Sequence, residues 1–367
     1  MRIAQVAPLA ESVPPARYGG TERVVSYLTE ELVRRGHDVT LFASGDSETS
    51  ARLIAPIERA LWRGEHLLPD IYHIICLEQL RREAHRFDIV HFHLDFWHLP
   101  LMKSLQVPYV TTMHGRLDLP DLVALYDTFP NEPLVSISDA QRTPLADLSW
   151  QGTVYNGIPA DLLRPRYEQG EYLAFMGRVS PEKGLDRAID IAIGAGRPLR
   201  ISAAIQPPNR RYFEEEIEPR LDHPLVEYVG ELGGSEKEEF LRHASALLFP
   251  IDWPEPFGLV MTEAMACGTP VVAFRRGSVP EVVEEGVSGF IVDDVDGAVQ
   301  MLEHIEALDR RSVRRAFEAR FTDVHMTDGY LDVYHRVLSR ERTNHANGTG
   351  GTPLWAPEGV GAEELPQ

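Results

Sequence analysis

Between Ala246 and Val292 the chain reads as apolar strands separated by one short helix, and this stretch constrains the fold more than any other. Ala246-Leu247-Leu248-Phe249 ends at Pro250, and a proline-rich turn carrying Glu255 follows. Leu259, Met261, Ala264, Met265 and Ala266 then read as helix until Gly268 stops it. Pro270 to Phe274 is the next apolar strand. This is a β-α-β unit, and open α/β sheets place their ligands at its strand-to-helix turn.

Two carboxylates mark that turn. Glu255 lies on the loop and Glu263 in the helix, with seven residues between them. The amides from Phe257 through Gly258 to Leu259 open the helix, where unpaired N–H groups and the helix dipole favour an anion. A carboxylate ahead of the helix can hydrogen-bond a neutral polyol, and one along the helix can grip the vicinal hydroxyls of a ribose. The pattern points to a sugar nucleotide.

The string E-P-F-G-L-V-M-T-E, continued by A-M-A-C-G-T-P-V-V and by Gly277, Pro280-Glu281, Gly286 and Gly289-Phe290, resembles the E-x7-E signature of the retaining family-4 glycosyltransferases. That group includes glycogen/sucrose-synthase-like and lipopolysaccharide-type transferases. The resemblance covers about residues 1–340. It implies an α/β fold of two facing Rossmann-like domains, the GT-B arrangement, with a C-terminal helix crossing back to the first domain. The expected boundaries are an acceptor-side domain at 1–160, a linker at 161–171, a nucleotide-sugar domain at 172–324, the crossing helix at 325–341 and a poorly ordered tail at 342–367.

Bulk properties are those of a soluble globular protein. Hydrophobic content is 43% and charged content 25%, and no run approaches a membrane span. Met1 to Val6 passes directly into a strand without a secretory pattern, and Cys76 and Cys267 fit a reducing compartment, so a cytoplasmic location is expected. The net charge of −20 opposes nucleic acid and anionic membranes, which attract basic faces. The arginines at 81, 82 and 86 are diluted by acidic neighbours. A soluble small-molecule or saccharide acceptor is favoured; oligomeric state is unreadable.

In the first domain, the Pro/Gly-rich loop 11–20 precedes a helix in which Val24, Val25, Tyr27, Leu28 and Leu32 recur at helical spacing. Strand, glycine turn and helix make a phosphate-binding geometry. Gly19-Gly20 is not a G-x-G-x-x-G fingerprint, which lowers a nicotinamide oxidoreductase reading. Residues 50–85 read as mostly helical. Phe87 to His93 is a strand with His91 and His93 on one face, and His-x-His followed by Asp95 lacks a third metal ligand at a suitable spacing. Another strand delivers His114-Gly115. Asp139 to Leu148 reads as a helix, and Tyr155-Asn156-Gly157 resembles the family segment that closes this domain. Phe96-Trp97-His98, in the variable segment 94–102, suits stacking on a sugar or aglycone and equally a core or hinge role.

The second domain opens with a strand, Tyr172 to Arg178, and a turn ending at Lys183-Gly184. Arg178 can grip diphosphate oxygens bidentately and Lys183 supplies a point charge. Arg210 to Asp222 reads as a solvated helix. Asp293, Asp294 and Asp296 precede a helix and are not read as a metal site.

The resemblance implies donor and nucleotide binding by Gly19, Gly20, Arg178, Lys183, Gly230, Glu231, Leu232, Glu255, Phe257, Gly258, Leu259 and Glu263. It places His114, Glu255, Arg178 and Lys183 at the reacting groups, with no metal and no cofactor. The implied reaction moves a hexosyl group from a nucleotide-diphosphate sugar to an acceptor with retained anomeric configuration. The alternatives are a sugar-nucleotide epimerase of the same fold, which needs carboxylates spanning both domains, and a catalytically inactive sugar-nucleotide-binding protein. A pyridoxal-phosphate phosphorylase lacks its lysine site, and an acyl hydrolase lacks G-x-S-x-G.

Overall fold

In the computed structural model, which describes residues 1–16, 19–105 and 107–346, the chain builds two fully parallel sheets. The first contains β1 (Arg2–Val6), β2 (Asp38–Phe42), β3 (Arg52–Ile54), β4 (Ile89–Phe92), β5 (Tyr109–Thr112), β6 (Leu134–Ser136) and β7 (Trp150–Thr153). Their order is β3-β2-β1-β4-β5-β6-β7. The second contains β8 (Tyr172–Arg178), β9 (Leu199–Ala204), β10 (Val226–Gly230), β11 (Ala244–Phe249), β12 (Val271–Phe274) and β13 (Gly289–Val292), in the order β10-β9-β8-β11-β12-β13. Helices cover both faces, so the central strands are largely buried; β4 and β12 are buried at every position, and the polar side chains Gln5, His91, Thr111 and Thr112 of the first sheet are buried with them. Each sheet is a Rossmann-like unit, and each reverses its direction of growth once, between β1 and β4 and between β8 and β11.

The chain crosses between the domains twice, and the crossings are tied together. Ile158 N–H donates to the Phe321 carbonyl at 2.9 Å, and Asp323 N–H donates to the Ile158 carbonyl at 3.1 Å. Gly157 is required beside them, since a Cβ there would lie 2.2 Å from the Thr322 carbonyl oxygen. The last helix, Asp323–Ala346, returns to the first domain. It buries Met326, Tyr330, Val333, Tyr334 and Val337 against Ile3, Leu28, Val110 and Val135.

A second seam joins the domains near the cleft. Ile137 and Ile158 pack with Phe257 and Met261 in one core. Ser138 Oγ donates to the Pro256 carbonyl at 2.6 Å. The Glu281 carboxylate accepts the N–H groups of Asp139 and Ala140, both at 2.7 Å, and the Tyr155 hydroxyl at 3.1 Å.

Four expectations about elements are corrected. Residues 50–85 are not mostly helical: Arg52–Ile54 is an edge strand paired with β2, and regular helix begins only at Ile71. The helix expected over 139–148 is one turn, Asp139–Arg142, then a 3-10 turn through Leu145, because Pro144 removes a backbone donor. The helix expected over 210–222 holds a π-helical stretch, Phe213–Ile217, whose two end residues are buried rather than solvated. The tail does not begin at 342: the last helix continues to Ala346, and 347–367 lie outside the described residues.

Candidate active site

The two domains enclose a cleft of about 490 Å³ at the carboxyl ends of their strands, where both sheets reverse. Gly19, Gly20, His114, Arg178, Lys183, Glu231, Leu232, Glu255, Phe257, Gly258, Leu259 and Glu263 all line it. Gly230 does not; it ends β10 with a φ of +79°.

The wall from the second domain is built from two lysine–glutamate pairs. Lys183 follows β8 and Glu255 follows β11, the strands that flank the switch point. Their side chains meet with Nζ donating to Oε2 at 2.5 Å. Trp253 Nε1 donates to the same oxygen at 2.9 Å, and the lysine ammonium sits 4.9 Å from the Trp253 ring centroid. Deeper in the cleft, Lys237 Nζ donates to Glu263 Oε1 at 2.5 Å. Glu255 and Glu263 are both nearly buried. A lysine has three N–H donors, so each can hold its carboxylate and still offer a donor to an anion. Arg178 stands at the end of β8 with Glu182 3.7 Å away.

The helix Leu259–Ala266 starts at this wall. Gly258 is in the left-handed region with φ +77°, and a Cβ would come within 2.7 Å of Met261 Cε. Glycine suits this sharp turn from the Glu255 loop into the helix, whose first residues, Leu259 and Val260, line the cleft.

The first-domain wall carries His114, Glu22 and Trp62. His114 is half-buried, and burial lowers its imidazole to about 3, so it is neutral. Glu22, in the first turn of helix Gly20–Arg34, is 5% exposed, and burial raises its carboxyl to about 7. The Glu22 and Glu11 backbone amides oppose that rise and the Glu11 charge adds to it.

Several other sequence readings resolve. His91 and His93 use their ring nitrogens within the protein, toward Tyr334 and Thr112 and toward Gln5 and His114. Asp294 caps a helix by accepting Gly297 N–H at 2.8 Å. Within Phe96-Trp97-His98, His98 is buried and stacked on Phe92 at 3.9 Å, Trp97 stacks on His73 at 5.1 Å, and none of the three lines the cleft. Glu22, Trp62 and Lys237 line the cleft without having been singled out, and so does Asn156 of the segment that closes the first domain. Glu22, just behind Gly19-Gly20, and Asn156, before Gly157, had local signals.

Two Rossmann-like domains facing across such a cleft define a GT-B glycosyltransferase fold. The model of Glycosyltransferase Family 4 matches residues 18–147, and that of Glycosyl transferases group 1 matches residues 164–319. The chain belongs to the GT-B glycosyltransferases of the family-4 type. It is 27% identical to a D-inositol 3-phosphate glycosyltransferase of Mycolicibacterium smegmatis over 399 residues, covering 89% of this chain and 88% of that one. It is 26% identical to AviGT4, a glycosyltransferase involved in avilamycin A biosynthesis, with a TM-score of 0.71 over 92% of this chain and 98% of that one. Sucrose-phosphate synthase from Thermosynechococcus elongatus shares the fold at 18% identity, with a TM-score of 0.76 over 93% and 100% of the two chains. Among the described residues, no helix is long and apolar enough to cross a membrane.

Proposed function

We propose that this glycosyltransferase moves a hexosyl group from a nucleoside-diphosphate sugar to a hydroxyl of a saccharide or small-molecule acceptor, with retention at the anomeric carbon and without a metal ion. The observation that carries the reading is the pairing of Lys183 with Glu255 and of Lys237 with Glu263 on one wall, beside Arg178 and a helix N-terminus. Arg178, Lys183 and the amides of Phe257 to Leu259 take the negative charge that grows on the departing diphosphate. Glu263 holds the ribose hydroxyls and Glu255 the donor-sugar hydroxyls. The backbone at Glu231 and Leu232 meets the base, and His114 faces the donor sugar.

The bond from the anomeric carbon to the diphosphate oxygen breaks while the acceptor oxygen bonds to the same face of the ring. The acceptor proton passes to the departing phosphate oxygen. The site is cytoplasmic in this reading. The acceptor lies against Glu22, whose carboxylate form disfavours a phosphate at that position. A relative's name carries an inositol phosphate, so neutral and phosphorylated inositols belong in the acceptor panel beside simple sugars.

Thermal shifts with UDP, GDP and ADP, each with Mg²⁺ or EDTA, test the donor side. A ligand at a hundred times its Kd adds about 2.7 kcal/mol of stability. One diphosphate is expected to shift the melt equally in EDTA, and Arg178→Ala to abolish that shift. The anomeric ¹H coupling of the product, compared with that of the donor, reads retention. No shift with any nucleotide overturns the donor assignment; a shift only with Mg²⁺ overturns the metal-free clamp.

A further inference from the structure

A buried chain of hydrogen bonds runs from the last helix to the cleft. Gln5, on β1, is its junction. Its Nε2 donates to the Tyr334 hydroxyl at 3.0 Å, and its Oε1 lies 2.9 Å from His93 Nε2. His93 Nδ1 in turn lies 2.8 Å from His114 Nε2. On the other branch, the Tyr334 hydroxyl is 2.7 Å from His91 Nδ1, and His91 Nε2 is 2.7 Å from Thr112 Oγ1. Thr112 Oγ1 donates to the Tyr330 hydroxyl at 3.1 Å. Gln5, His91, His93, Thr112, Tyr330 and Tyr334 are all buried. Burial also keeps the three imidazoles neutral.

A neutral imidazole has one N–H and one lone pair, on different nitrogens. A chain of such groups has a single polarity, so one link sets the others. Gln5 Oε1 can only accept, which puts the His93 proton on Nε2 and leaves a lone pair at Nδ1. His114 must then carry its proton on Nε2. Its Nδ1, which bonds no other described residue, is left as a lone pair on a cleft-lining ring. The other branch agrees at every link: Tyr334 receives from Gln5 and donates to His91, His91 donates to Thr112, and Thr112 donates to Tyr330.

We propose that Gln5 and His93 are positioning residues that hold His114 as its Nε2–H tautomer, so that Nδ1 accepts a hydrogen bond from a hydroxyl of the donor sugar. This rests on the cleft being a nucleotide-sugar site. A hydroxyl can donate or accept, and the fixed tautomer selects donation; a donor analogue with fluorine in place of that hydroxyl has no proton to give and is disfavoured.

The tautomer is read directly by two-bond ¹H–¹⁵N correlation spectra of protein labelled at histidine, with His114 assigned by its absence in His114→Asn. A protonated Nε2 and bare Nδ1 are expected; a protonated Nδ1 overturns the proposal. Two variants test the positioning role. His93→Leu removes the acceptor of the His114 proton and is expected to lower kcat about tenfold, equal to about 1.4 kcal/mol, with the Kd of the nucleoside diphosphate unchanged. His93→Gln can accept from His114 through Oε1 and donate to Gln5 through Nε2, and is expected to restore most of the rate. Wild-type turnover in His93→Leu, or equal loss in both variants, overturns the proposal. If His93→Leu does not fold, the wild-type spectrum still decides. If neither UDP, GDP nor ADP binds the wild type, the donor reading fails and the role of Nδ1 falls with it, while the spectrum independently reports the tautomer.

Discussion

Lys183 and Glu255 are 72 residues apart in sequence, and their charged atoms meet at 2.5 Å. The strands before them, β8 and β11, are neighbours at the point where the second sheet reverses. The turn after each strand therefore opens into the same space. Lys183→Ala would leave the Glu255 carboxylate with Trp253 Nε1 as its partner and, in the proposed reaction, remove one cation from the departing diphosphate. Loss of turnover by about 10²-fold is expected, the scale of one preorganised donor. A transfer assay at saturating donor checks it. Lys183→Arg is not expected to restore the rate, because a planar fork does not replace a point charge in so close a pair.

Glu263 and Lys237 form the deeper pair. Glu263→Gln keeps the shape but weakens any ribose hydrogen bond and leaves the Lys237 ammonium without its counter-charge. Weakening of nucleoside diphosphate binding by about 10- to 100-fold is expected, from about 1.5–3 kcal/mol for a hydrogen bond to a charged group. Calorimetric titration measures it. An unchanged Kd would remove Glu263 from the nucleotide site.

Glu22 predicts a pH dependence of stability. Burial raises its carboxyl from 4.5 to about 7, so the folded state favours the protonated form. Its contribution is complete below about 4.5 and is lost as pH rises through about 7. Glu22→Gln has no proton to lose, so its stability relative to the wild type should grow across that window, by up to about 3 kcal/mol. Parallel melts from pH 4.5 to 8 test this. Curves that stay parallel would mean that Glu22 finds a cationic partner.

Glu281 caps the turn at Asp139 and Ala140 across the domain seam and receives the Tyr155 hydroxyl. Glu281→Ala leaves those donors without this partner and should cost about 1–3 kcal/mol, seen as a lower urea midpoint. Tyr155→Phe should cost less, since it removes one neutral donor and leaves both amide bonds intact.

Most of the architecture was legible because it is written in local runs. Buried parallel strands favour apolar runs, and the stretches at 172–176, 246–249 and 271–274 show them. The last helix could be placed on the first domain only through the family resemblance, and its tyrosines and valines now account for that docking. β3 was missed because a three-residue edge strand takes its state from pairing with β2. The end of the last helix was set too early, since composition alone does not locate where a helix stops.

Within the cleft the same division holds. Glu255, Gly258 and Glu263 belong to one β-α turn, and Arg178 and Lys183 to another, so each set lies in one local string that the family resemblance could pick out. Lys237 and Trp62 come from elements whose approach no local pattern encodes. The sequence by itself determined the fold class, the two turns and the residue types set at them, because strand, turn and helix signals act over a few residues. Only the tertiary structure decided which charges pair, that Glu22 is buried, and that Gln5, His93 and Tyr334 form one chain with His114. Those properties depend on distance and desolvation, and residues 329 positions apart, as Gln5 and Tyr334 are, share neither until the last helix folds back onto the first sheet.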